Sequence, residues 1–426
     1  MSTSVPPKTA PLAPAERVAH FKQDVWSLFT RLTLENKAVN LGQGFMNFPP
    51  PKLIKDAACD AIHTDAFNQY PPPRGRPRLL QALAEHYSPA FGRTIDPTTD
   101  IFIPSGANEG IFCIFAAYLN QGDEVILFEP YFDQYLSNVT MNGGVPVFLP
   151  LIPGEPGEDG VIPSSSWKVD MKQLESAITP RTKVILLNTP HNPVGKVFSE
   201  EEIRAIGDLA VKHNLLILSD EVYDHLVFSP AKHLSIGALP EYQSRTLTVG
   251  SAGKVFGITG WRLGWVMGDA PLLAPVLAAH TRVCFCATGP LQEAVAEALE
   301  QSKTNGFFEQ QTKEYEARLA LLLKPIKEVG LPYTLPKGSY FLLVNTSSIR
   351  IPKDFSFPSE ISARGRNFEM CYWLCAEIGV TAIPIGEFYS DTNQHLGEDF
   401  IRFSFCKTDD VLEEAGKRLL RIKDFL

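Results

Sequence analysis

The sequence predicts an α/β fold, a large unit on a mostly parallel, doubly wound sheet followed by a smaller α+β unit. Three observations carry this. From about Pro50 to Gly268, short β-rich runs alternate with helical patterns, the order of βαβ units around a buried sheet. The residues that follow those runs are polar, as expected where ligands sit at the carboxyl ends of parallel strands. Beyond about residue 325 the order changes to strands and helices closed by an amphipathic helix from residue 409.

In chain order, an amphipathic stretch near residues 15–35 comes first. DIFIPS, DEVILFEP, VPVFLP, TKVILLNTP, NLLILSDEVY and TLTVGS then read as strands separated by helices, and residues 270–325 as helical. YTLPKGSYFLLVN, a helix near 368–378, VTAIPI and FIRFSF make up the smaller unit. Two insertions rich in Pro, Ser and Gly, residues 152–166 and 351–366, read as surface loops. The expected division is residues 1–48 as an N-terminal arm and part of the small domain, 49–325 as the large domain, and 326–426 as the small C-terminal domain.

Composition narrows the function. With 426 residues, 44% hydrophobic and 20% charged, the chain can bury a large core. No apolar run exceeds Ile111 to Leu119, short of the roughly 18 residues a membrane span needs. Lys+Arg 39 against Asp+Glu 48 leaves a formal charge of −9, which opposes nucleic-acid binding and favours small-molecule partners. Seven cysteines, an odd number with no paired CxxC, fit a reducing compartment better than a disulfide framework. Cys284 and Cys286, and Cys371 and Cys375 in NFEMCYWLCAEIG, read as ordinary thiols, and no metal is expected. The start has no apolar signal core, and Pro6, Pro7, Pro11 and Pro14 oppose a transit-peptide helix. The cytoplasm is the expected compartment, with the mitochondrion as the alternative.

The chemistry-bearing residues lie at strand ends. Lys254, in GSAGK, follows TLTVGS; stripped of water, its amine becomes a nucleophile fit for a carbonyl cofactor, while a turn lysine is the plainer alternative. Asp220 closes LLILS, where its carboxylate needs a cationic or N–H partner such as the ring nitrogen of pyridoxal phosphate, or else serves as a turn or cap aspartate. Tyr223, three residues on, and Asn192, in the loop after the previous long strand, suit a hydrogen bond to the 3-hydroxyl oxygen of that cofactor, or else serve as ordinary turn or packing residues. Gly106, Ala107 and Asn108 open a helix whose free N–H groups suit a phosphate, with Ser251 and Arg262 as further donors, while a tight turn and a surface arginine are the plainer alternatives. Phe132 offers a stacking face, and Arg402, alternating with Ile401 and Phe403, suits a substrate carboxylate or an edge-strand salt bridge.

Together these residues resemble the fold type I pyridoxal-phosphate aminotransferases. The resemblance runs from about Asp24 to the C-terminus, outside the two insertions. DVWSLF, VNLGQGF, QYPPPRG, GDEVILFEPYFDQY, NTPHNPVGKVFS, SDEVY, TVGSAGKVFGITGWRLGW, VTAIPIGEFY and DFIRFSFCK are similar to the kynurenine aminotransferase and glutamine transaminase K group, many of whose members also act as cysteine-S-conjugate β-lyases. The resemblance implies Lys254 as the Schiff-base lysine and proton shuttle, Asp220 at the pyridine nitrogen, Tyr223 and Asn192 at the 3-hydroxyl, and Phe132 on the ring. It implies Gly106, Ala107, Asn108, Ser251 and Arg262 around the phosphate, joined by Tyr70 of the other subunit of a homodimer with shared sites. Arg402 and Asn192 would hold the substrate carboxylate, and Trp26, Gly44 and Tyr131 would line the substrate pocket, with Phe285 arriving from the partner chain. Met46, where the group has Pro, and Cys286, where some relatives carry His, depart from the pattern. The implied activity is amino-group transfer from an aromatic or sulfur-containing L-amino acid to a 2-oxo acid. Kynurenine leads, giving kynurenic acid in tryptophan catabolism; a lyase on the same site, of the β-lyase or aminocyclopropane carboxylate synthase type, is the rival.

Overall fold

The computed structural model describes residues 13–19, 21 and 25–426. The expected start of the resemblance at Asp24, and the reading placed on Pro6, Pro7 and Pro11, lie outside the described residues. Helices Glu16–Ala19 and Val25–Glu35 occupy the stretch predicted to be amphipathic.

The strands, numbered in chain order, are β1 Val39–Asn40, β2 Ile101–Phe102, β3 Glu124–Glu129, β4 Val145–Pro150, β5 Val161–Pro163, β6 Thr182–Asn188, β7 Leu216–Asp220, β8 Thr246–Ser251, β9 Gly264–Met267, β10 Tyr333–Leu335, β11 Phe341–Asn345, β12 Val380–Thr381, β13 Ile383–Pro384 and β14 Phe400–Ser404. The large sheet runs β2-β9-β8-β7-β6-β3-β4. Neighbours from β8 to β4 are parallel, and β9 alone is antiparallel to both of its partners. Alternation within a strand explains why both faces must be covered: β3 sends Ile126 and Phe128 into one core and Val125 and Leu127 into another. The helices Ala107–Tyr118 and Ala270–Val283 pack together on the second face.

A five-stranded sheet, β13-β14-β11-β10-β5, forms the second unit, and β1 pairs in parallel with β12. This corrects one expectation. Residues 152–166 are not simply a surface loop, because Val161, Ile162 and Pro163 extend the second sheet beside Tyr333, Thr334 and Leu335. Trp167, just beyond, is fully buried and donates to Thr334 Oγ1 at 3.3 Å. A three-residue strand ending in Pro is too short to show a period, and its partner lies far along the chain. The second insertion contains only the single turn Ser359–Ser362. For Arg402 the alternative of an edge-strand salt bridge does not hold: β14 lies between β13 and β11, not at an edge, and all five of its residues are buried.

Candidate active site

The carboxyl ends of the parallel strands deliver their polar residues to one cavity. Lys254, Asp220, Tyr223, Asn192, Ser251, Phe132, Ala107, Asn108 and Arg262 line it from the large sheet, and Trp26, Gly44 and Arg402 from the other side. Asn188 ties two strand ends together, donating to Asp220 O at 2.9 Å and accepting from Asn192 N at 2.8 Å. Asn192 is thereby fixed beside the aspartate.

Burial sets the electrostatics. Asp220 is almost fully enclosed, and loss of water raises its pKa to about 6. The Tyr135 hydroxyl donates to Asp220 Oδ2, and Val222 N to Oδ1 at 3.3 Å. Among the described residues no ion pair is made to it, so its charge is unspent. Lys254 keeps part of its surface on the cavity while the surrounding protein displaces water, lowering the pKa to about 8. That makes the neutral, nucleophilic amine accessible near neutral pH. Its Nζ donates to the Tyr340 hydroxyl at 3.0 Å.

Arg402 is 1% exposed, and desolvation lowers its pKa to about 10. It donates to Asn192 Oδ1 and Gly42 O, each at 2.9 Å, and its guanidinium lies 4.1 Å from the centroid of Phe341. Its Nε has no hydrogen-bond partner, and it forms no ion pair among the described residues. A buried guanidinium that borders a cavity and is paired with no carboxylate suits one as a ligand.

The anion cradle follows from backbone geometry. Gly106 has φ 85°, and a Cβ there would lie 2.5 Å from Arg262 Nη2, so only glycine lets the arginine close over the start of the helix Ala107–Tyr118. Asn108 Oδ1 accepts from Asn138 Nδ2 at 2.8 Å, which orients the first turn.

Four expected site residues do not line this cavity within the single chain, and of these Gly106 stands next to it as the N-cap of the helix Ala107–Tyr118. Tyr131 does not line it: its N donates to Phe388 O at 2.8 Å, and its buried ring stacks on Phe148 at 5.4 Å. The alternation of directions after β3 gives the inward position to Phe132. Tyr70 is 83% exposed and Phe285 48% exposed, with their rings edge-to-face at 5.3 Å on the surface. Both were expected to act on a neighbouring subunit. Tyr135 and Tyr340 were not anticipated. The position of Tyr135, three residues after Phe132, is the only sequence signal, and Tyr340 has none beyond its place before an apolar strand.

A family model described as aminotransferase class I and II matches residues 36–419. The chain is 42% identical over 414 residues to a protein of Saccharomyces cerevisiae named as a probable kynurenine–oxoglutarate transaminase, covering 95% of this chain and 93% of that one. It is 41% identical over 419 residues to the kynurenine–oxoglutarate transaminase of Dictyostelium discoideum, 96% of each chain. The crystal structure of yeast Bna3p superimposes with a TM-score of 0.93 at 41% identity, covering 98% of this chain and all of the other.

Proposed function

The chain belongs to the class I and II aminotransferases, and from that membership we propose that it transfers the amino group of an aromatic or sulfur-containing L-amino acid, L-kynurenine first, to a 2-oxo acid such as 2-oxoglutarate, with pyridoxal 5′-phosphate as cofactor. One observation carries the reading: a lysine whose pKa burial lowers to about 8, and an aspartate and an arginine without ion-pair partners among the described residues, face one cavity. The residues fit the cofactor. Asp220 lacks a cation such as a protonated ring nitrogen, the glycine-lined helix start under Arg262 suits a phosphate, and Phe132 presents a ring to the cavity.

Bound there, pyridoxal phosphate supplies the electron sink that stabilises negative charge at the substrate α-carbon. Asp220 would pair with the ring nitrogen, and Tyr223 and Asn192, which line the same cavity, would hold the 3-hydroxyl. Gly106, Ala107, Asn108, Ser251 and Arg262 would hold the phosphate. Arg402 and Asn192 fix the substrate carboxylate, which orients the α-hydrogen toward Lys254. Lys254 Nζ would take that proton and return it in the next step. Trp26, whose Nε1 donates to Asp133 Oδ2 at 2.9 Å, and Gly44 bound the side-chain end.

Kynurenine and 2-oxoglutarate supplied together are expected to give kynurenic acid and glutamate, at a rate that falls to background when the oxo acid is left out. Turnover of cysteine S-conjugates with no dependence on oxo acid would instead assign the site to elimination.

The site is completed by a second copy of the chain, in this reading. Tyr70 and Phe285 stand together on the surface, and Tyr70 follows Gln69 and precedes Pro71, Pro72 and Pro73, a run stiff enough to aim it across an interface. Tyr70→Ala and Lys254→Ala chains are each expected to be impaired alone. Mixed, they form a dimer in which one site combines intact Lys254 with intact Tyr70, and activity rises above the mean of the parents. Mixed dimers seen by native mass spectrometry without that rise would place Tyr70 in its own chain's service.

We take residues 49–325 as the cofactor-binding unit and residues 1–48 with 326–426 as the small one, supported by the membership of the two sheets apart from β5. All seven cysteines are free, which supports a reducing compartment such as the cytoplasm. Among the described residues no helix is long and apolar enough to cross a membrane.

A further inference from the structure

Four successive backbone carbonyls, from Gly42 to Phe45, are held by three buried side chains, of which Arg402 lines the cavity. Arg402 donates to Gly42 O at 2.9 Å, Lys407 to Gln43 O at 3.1 Å and Phe45 O at 2.6 Å, and Tyr340 to Gly44 O at 2.8 Å. The strap is pinned along its whole length. Tyr340 is the one of the three that also meets the lysine, its oxygen accepting from Lys254 Nζ at 3.0 Å. A phenol carries one proton. Since that proton is committed to Gly44 O, the oxygen meets the lysine only as an acceptor.

The ring has little freedom to move. Tyr340 is fully buried, parallel to Tyr315 at 6.0 Å, edge-on to Tyr223 at 5.1 Å and against Phe341 at 4.7 Å. Burial pushes its pKa well above the usual phenol value, so the proton that fixes this polarity is retained. Lysine, by contrast, has a flexible four-carbon stem. Whenever Lys254 is not joined to the cofactor, nothing covalent holds its amine at the place where the α-proton must be received.

We propose that Tyr340 is a positioning residue for Lys254: its hydroxyl holds the free amine in the cavity and ties it to the strap that carries Gly44 and Gly42. The strap thereby connects Arg402, which receives the substrate carboxylate, with the amine that receives the proton. This rests on the aminotransferase reading. It assigns to Tyr340 a role distinct from that of Tyr223, which approaches the amine with its ring face, 5.8 Å from centroid to Nζ.

Tyr340→Phe tests it, since the ring that packs on Tyr315 and Tyr223 is kept and only the oxygen is lost. In cofactor-free protein, added pyridoxal phosphate becomes fixed to Lys254 by borohydride, and the rate is read by mass. That rate is expected to fall about tenfold in the variant, given the cost of a misplaced reacting group. The acid limb of its pH profile should move to lower pH, because an ammonium without its acceptor loses a proton more readily. Asp220, Tyr223, Arg262, Arg402 and Cys406, the other groups facing the amine, stay in place, so the displacement reports Tyr340. In single turnovers with kynurenine the rate should fall roughly 10- to 100-fold, with the affinity for a carboxylate analogue lacking the amine unchanged. Wild-type fixation rate and pH profile in a variant that unfolds at the wild-type temperature would overturn the proposal. So would a variant whose only change is weaker analogue binding. If wild-type enzyme transfers no amino group while fixation still slows in the variant, the reading of the reaction fails and the role of Tyr340 stands.

Discussion

Replacing Lys254 with alanine is expected to abolish multiple turnover while leaving a folded protein that still retains some pyridoxal phosphate. The amine is asked to join the cofactor, to be displaced and to carry the α-proton, and the loss of proton transfer alone costs about 10²- to 10⁴-fold. Cofactor retention survives because Asp220, Arg262, Ser251 and the helix start at Gly106 are untouched. The bound cofactor should lose the yellow colour of its linkage to lysine. Stability provides the control against simple misfolding. Lys254 has a folded-state pKa of about 8 against an ordinary 10.5, so between those values the unfolded chain binds the extra proton. In cofactor-free protein this group therefore destabilises the fold below about pH 8, and the penalty fades as pH rises toward 10.5. The alanine variant should unfold no earlier than wild type at neutral pH and should lose part of the rise in stability on the alkaline side. Steady-state activity at the wild-type level in this variant would end the assignment of Lys254.

The residues that sequence exposes are those whose chemistry conflicts with their surroundings. Asp220 after LLILS, Lys254 after TLTVGS and Arg402 inside FIRFSF are charges set against apolar runs, and each of the three faces the same cavity. The large sheet was legible for a related reason: its central strands are buried on both faces and read as unbroken apolar runs. What remained hidden depends on contacts that no local pattern encodes. Tyr135 reaches Asp220 from a helix 85 residues earlier in the chain, and Tyr340 reaches Lys254 across 86 residues. A tyrosine at either place looks like packing until the partner is seen. The strand β5 was hidden by its brevity, and Tyr131 and Phe132 could be separated only once the chain's direction after β3 was known. Tyr70 and Phe285 are a third case, since neither has a partner in the cavity of its own chain.

Arg402→Ala should give the second large loss, and of a different kind. In the resting protein the guanidinium is already dehydrated, with Asn192 Oδ1 and Gly42 O accepting two of its N–H groups and Nε left unpaired. Much of the desolvation cost is thus met when the chain folds, and an incoming α-carboxylate finds a preorganised partner. Removing the arginine leaves that carboxylate buried without a cation, a situation that costs about 3–5 kcal/mol, or roughly two to four decades in kcat/KM. The loss should be shared by amino acids and oxo acids alike, because both carry the carboxylate, and should fall largely on KM. Arg402→Lys should recover only a part, since a single ammonium cannot make two parallel bonds or reach Asn192 and the substrate together. Folding need not suffer in proportion: the alanine variant leaves two acceptors unpaired but also removes a buried charge whose pKa burial had pulled down to about 10. Thermal unfolding separates these contributions. A variant with wild-type Tm and unchanged KM for every amino acid and oxo acid tried would show that the carboxylate is held elsewhere.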